Sequence, residues 1–106
     1  VVTGEGAALE DRELVRALRA MGDGKRFRML QEIAAAGELS CGQLVERFAL
    51  AQPTISHHVK ILVDAGLLHV RQESKHHFVS VNQEFVKRVA AFLPGVFEGV
   101  ERRDPA

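Results

Sequence analysis

Between residues 51 and 66 the chain carries a helical pattern whose outer face is made of short hydrogen-bonding side chains and one cation. Stepping 100° per residue from the apolar stripe Ile55, Val59, Leu62 and Val63 turns Pro53, His57, Lys60 and Ile61 outward, with Gln52, Thr54 and Ser56 flanking them. Those residue types suit the edges of base pairs. Glutamine can bond adenine with two hydrogen bonds, serine and histidine can bond several edges, and an isoleucine can touch a thymine methyl. The same face could also be the solvated surface of a protein-binding domain.

The elements that would position this face are legible in the spacing. Leu14, Leu18 and Met21 fall on one side of a helix over 9–21, which Gly22-Asp23-Gly24 breaks, with Asp23 available as the next cap. Phe27, Leu30, Ile33 and Ala34 repeat the pattern over 25–36, and Gly37 ends it. Ser40 and Gln43 form a capping box, each side chain satisfying a free backbone N–H of the other. The helix they open carries Cys41, Leu44, Val45 and Phe48 on one stripe. Ala49-Leu50-Ala51 is a tight connection, and Pro53 stands in the first turn of the next helix, where its missing N–H costs little. Beyond Gly66 the period changes to an alternation around Leu68, Val70 and Gln72, then a turn at Glu73-Ser74-Lys75 and a second β-rich run at Phe78–Val81. From Asn82 the helical stripe Phe85, Val89, Phe92, Leu93, Val96 and Val100 returns, with Pro94-Gly95 expected to kink or break it. Two short helices across a three-residue turn, followed at once by a hairpin, read as a winged helix-turn-helix. The fold class is mainly α with a small β-hairpin wing, in the order α-α-α-α-β-β-α. One domain is expected over 9–98, between tails at 1–8 and 99–106.

Composition agrees and excludes alternatives. At 106 residues, 46% hydrophobic and 26% charged, the chain is one small globular domain. Its 14 Lys+Arg cancel 14 Asp+Glu, yet residues 25–88 hold nine bases against six acids, a mildly basic centre between acidic ends. That balance permits a polyanion partner without requiring one. A single cysteine rules out an internal disulfide framework or a four-cysteine zinc site. The apolar runs are far shorter than the ~20 residues a membrane span needs. Residues 1–6 show no basic region followed by an apolar stretch, so a soluble cytoplasmic domain with no membrane partner is expected. No glycine-rich phosphate loop, nucleophile–base pair or convergent carboxylate pair is present, so no enzyme is expected and no cofactor is implied. Tyr and Trp are absent, which removes the usual stacking platforms for single strands.

The stretch Gln52–Leu68 closely resembles the recognition helix of ArsR/SmtB-type bacterial repressors, with their Ser-x-His-Leu-x-x-Leu core followed by Ala-Gly-Leu. Ala20–Leu30 resembles the opening of that family's second helix and Glu38–Leu44 its third-helix segment, so the likeness spans roughly residues 14–93. The resemblance implies a homodimeric transcriptional regulator, usually a repressor, that pairs through its first and last helices and binds a pseudo-palindromic operator in double-stranded DNA. It places base reading on Gln52, Thr54, Ser56 and His57, and backbone or wing contacts on Lys60, Arg71, Lys75 and His76. His58 matches a position that is nearly always histidine in the family; the helical wheel puts it at the edge of the buried stripe. The family often caps this helix with Ser or Thr, whereas Ala51 stands here, at a cost of about 0.5–2 kcal/mol.

Both of the family's metal boxes lack their ligands, so no metal site is expected and no effector is named. The thiol site would need cysteines where Ser40 and Gly42 stand, with Cys41 between them, and the helix from Asn82 onward contains no histidine. Cys41 on its apolar stripe is either a small core residue or a redox-sensing thiol. Two alternatives to an ordinary repressor follow: a thiol-responsive regulator switched through Cys41, and a winged-helix protein-interaction module without its own operator.

Overall fold

The computed structural model describes residues 9–102, and side chains as far as residue 98. Five helices and a three-stranded sheet follow in the order α1 (Asp11–Met21), α2 (Gly24–Ala36), β1 (Leu39–Ser40), α3 (Cys41–Phe48), α4 (Gln52–Asp64), β2 (Leu68–Glu73), β3 (His76–Val81) and α5 (Gln83–Arg102). The winged helix-turn-helix order expected from the sequence is present, with β1 added.

Local chemistry explains most of the boundaries. Glu10 and Glu13 close a reciprocal capping box on α1, and the first-turn acids Asp11 and Glu13 sit at the positive end of its dipole. Asp23 caps α2 by accepting from the backbone N–H groups of Lys25 and Arg26, both at 3.1 Å. Gly37 ends that helix at a φ of 86°, a conformation other residues adopt only with strain. Ser40 and Gln43 make the anticipated box on α3, at 3.1 and 2.8 Å. α4 ends in a Schellman motif: Leu67 N–H reaches the Leu62 carbonyl, Gly66 N–H reaches that of Val63, and Gly66 takes a φ of 89°.

The core lies between the helices and one sheet face, with Met29, Ile33, Leu44, Ile55, Leu62, Leu67 and Val79 fully enclosed and Val89 contributed by α5. Each such side chain stabilises the fold by roughly 1.5–3 kcal/mol relative to its exposed state. The sheet order is β1-β3-β2, all antiparallel. The pairs Leu68↔Val81 and Val70↔Val79 share one face, and His69↔Ser80, Arg71↔Phe78 and Glu73↔His76 share the other.

Several expectations are corrected. α1 buries Leu14, Ala17 and Ala20, while Leu18 is 40% and Val15 47% exposed. Small alanines let α1 approach its neighbours closely, and a reading keyed to large residues set the stripe one step too far round. In α2 the enclosed residues are Met29, Leu30 and Ile33; Phe27, 200° from Met29 around the helix, is half-exposed and Ala34 is exposed. Ile61 packs partly against the core rather than facing outward. The turn narrows to Ser74-Lys75. Of the two outcomes expected at Pro94, a kink or a break, the helix does not break there: α5 runs on to Arg102. The expected tail at 1–8 and the last residues, 103–106, lie outside the described residues.

Candidate nucleic-acid interface

α3 and α4 meet across Ala49-Leu50-Ala51, where Ala49 makes the reversal at a φ of 52° and closes α3 with its N–H on the Val45 carbonyl. α4 then buries Ile55, Val59 and Leu62 and leaves Gln52, Pro53, Thr54, Ser56, His57 and Lys60 exposed. Hydrogen-bonding side chains therefore share one solvent-facing surface, backed by a buried apolar stripe. Ala51 offers no side-chain cap to this helix, as its residue type requires, and Pro53 occupies the first turn.

The C-terminal end of α4 and its flank are tied to neighbouring elements. A Cβ on Gly66 would meet the Phe85 ring at 3.4 Å, an ordinary contact, so it is the φ of 89° rather than crowding by α5 that favours glycine at this turn. Asn82 donates to the Gly66 carbonyl at 3.1 Å and accepts from Phe85 N–H at 3.2 Å, tying the start of α5 to the end of α4. On the flank, His58 is half-buried with its Nδ1 3.3 Å from Arg26 Nη1. Burial pushes its imidazole below the ordinary histidine value, with Asp23 opposing that shift.

The cations differ in how freely they can meet a phosphate. Lys60 Nζ pairs with Asp64 at 3.0 Å, but both side chains are well exposed, and such a pair is easily exchanged. Lys75 stands exposed at the hairpin turn, and the His76 ring, also exposed, lies tilted to that of Phe78 at 6.4 Å between centres. Arg71 is engaged: it bridges Glu38 at 2.9 and 3.1 Å, reaches Glu73 at 2.8 Å, and lies 4.6 Å from the centre of the Phe78 ring. Arg71 holds Glu38 below the usual carboxylate range, and the two acids push the guanidinium still further up. Glu38, 33 residues away on the segment entering β1, was not legible as its partner. Neither was Arg26 as the partner of His58.

Cys41 is half-buried, and burial pushes its thiol up, away from the reactive thiolate. Among the described residues no group of three or more His, Cys, Asp or Glu side chains is placed to hold a metal ion. No described helix is long and apolar enough to cross a membrane.

A helix pair across a tight turn, an exposed polar row on its second helix and a two-stranded wing define a winged helix-turn-helix domain. Residues 21–71 match the family model described as a helix-turn-helix domain. The arsenical resistance operon repressor of Staphylococcus xylosus is 37% identical over 75 residues, 71% of each chain. An ArsR-like transcriptional regulator from Rhodococcus sp. RHA1 superposes with a TM-score of 0.76 at 21% identity, over 87% of this chain and 86% of the other. The homodimeric winged helix-turn-helix DNA-binding domain of a possible ArsR-family regulator from Mycobacterium bovis gives 0.66 at 23% identity, over 87% and 90%. The chain belongs to the ArsR/SmtB family of winged helix-turn-helix regulators and is a DNA-binding transcriptional regulator.

Proposed function

We propose that the chain is a cytoplasmic, homodimeric repressor that reads a pseudo-palindromic operator with α4. The observation that carries this reading is the exposed row on α4, in which Gln52, Thr54, Ser56 and His57 stand clear of the core while Ile55, Val59 and Leu62 anchor the helix. In this reading those four residues read base edges, and Lys60, Lys75 and His76 contact the backbone or minor groove. Arg71, already shared between two carboxylates, sets the base of the wing and lends a phosphate at most part of its charge. Cys41 serves as packing in α3, because its raised thiol pKa and the lack of a second cysteine in the chain disfavour a thiol switch.

Dimerisation is supported by apolar side chains left uncovered on the two helices that would meet a second copy. Val15 and Leu18 on α1 are 47% and 40% exposed, and Val96 and Phe97 on α5 are 37% and 61% exposed. Repression is supported by the relatives' role. Hydroxyl-radical footprinting on DNA from immediately upstream of the protein's own gene tests the reading. Two protected tracts about one helical turn, ~34–36 Å, apart are expected. A single protected tract would overturn the dimeric reading, and uniform cleavage would overturn recognition of that DNA.

A further inference from the structure

Arg26 lies where three helices meet. Its Nε donates to the Ala20 carbonyl in the last turn of α1 at 2.8 Å, and its Nη1 stands 3.3 Å from His58 Nδ1 on α4. Its own backbone N–H is held by the Asp23 carboxylate at 3.1 Å, so the residue is pinned at its main chain as well as at its head. A guanidinium only donates. His58 Nδ1 must therefore accept, and the imidazole proton sits on Nε2. An imidazolium has no lone pair at Nδ1 and would set a second positive charge against Arg26.

We propose that Arg26 and His58 form a positioning clamp that fixes the rotation of α4 against the α1–α2 corner, holds only while His58 is neutral, and opens on acidification at the expense of DNA reading. The consequence for DNA rests on the reading of α4 given above; the clamp itself does not. His58 is next to exposed His57 in the chain, so any rotation of α4 moves a base-reading side chain directly. The charged groups facing His58 are Asp23 at the cap of α2, Lys25 and Arg26 from α2 and His57 from α4, and α1 contributes the Ala20 carbonyl through Arg26. Burial, Arg26, His57 and Lys25 oppose protonation and Asp23 favours it, leaving the imidazole below its ordinary value. The clamp is thus closed at neutral pH and opens as pH falls through a folded-state value under about 6.5.

Long-range proton–nitrogen NMR of the histidine rings in the free protein tests the clamp without any DNA. The expected result is a single Nε2–H tautomer for His58 at about pH 8, titrating below about 6.5 and moving upward in Arg26→Ala. An Nδ1–H tautomer, or a midpoint at or above the ordinary value, would overturn it. His58→Gln keeps a side-chain acceptor that cannot titrate. On the duplex from upstream of the protein's own gene it should match the wild type at about pH 7.5 and bind about tenfold tighter than the wild type at about pH 5.5. Parallel pH profiles for the two proteins would overturn the link to α4. A wild type with no preference for that duplex over a scrambled one at neutral pH would instead contradict the operator reading, while the NMR result still decides the clamp.

Discussion

Gln52 and His57 should respond to truncation differently from Lys60, although all three share the exposed surface of α4. A base contact is lost at one position of the operator, so Gln52→Ala and His57→Ala should each relax preference at a single base pair by about 1–3 kcal/mol. A phosphate contact is lost on every sequence, so Lys60→Ala should weaken all duplexes alike and lower the salt slope by about 1. Titrations against single-base-pair variants of the operator separate the two patterns. Acid acts on other residues. Asp23 is held below the usual carboxylate value mainly by the Arg26 backbone N–H, and Glu38 mainly by the Arg71 side chain. Because their folded pKa values lie below the unfolded ones, both contribute fully above the unfolded values and lose that contribution as pH falls through the folded ones. The melting temperature should therefore drop between about pH 5 and pH 2, and the drop should shrink in a protein lacking both carboxyls, Asp23→Asn with Glu38→Gln.

The turn between α3 and α4 carries two residues that chemistry would improve. Ala49 is exposed and sits at a φ of 52°, so Ala49→Gly should stabilise the domain by about 1 kcal/mol, read as a higher midpoint in urea. Ala51→Ser should add about 0.5–2 kcal/mol by capping α4; an unchanged midpoint would mean that the first turn already satisfies its amides from elsewhere. These elements were legible because caps, glycine stops and apolar spacing agree locally. The capping box at Ser40–Gln43, the stops at Gly37 and Gly66 and the change of period after Gly66 each need only a few neighbouring residues. β1 escaped because two residues show no period and Ser40 was already spoken for as a cap. Leu18 and Phe27 lie off the buried faces because alanines in α1 and Met29 in α2, rather than the largest side chains, set those stripes. Ile61, by contrast, sits at the edge of a stripe that does follow the large residues. The Arg26–His58 and Glu38–Arg71 contacts join residues 32 and 33 apart, a separation at which sequence spacing carries no geometric information.

At the scale of the whole molecule, α1 and α5 leave apolar surface that a second copy would cover. Leu18→Glu combined with Phe97→Glu should give a monomer by sedimentation equilibrium with its helical circular dichroism intact. Joining two half-site contacts raises affinity by ~100-fold or more, and that gain should disappear in the variant. A variant that stays dimeric would place the interface elsewhere. The central claim is that the outer face of α4 reads sequence, and fluorescence anisotropy tests it most directly. The purified protein would be titrated, at two salt concentrations, against DNA from immediately upstream of its own gene and against a scrambled duplex. A preference of ~1,000-fold or more for the upstream DNA, with both affinities falling steeply with salt, is the expected result. Equal, weak and equally salt-dependent binding to both duplexes would contradict it.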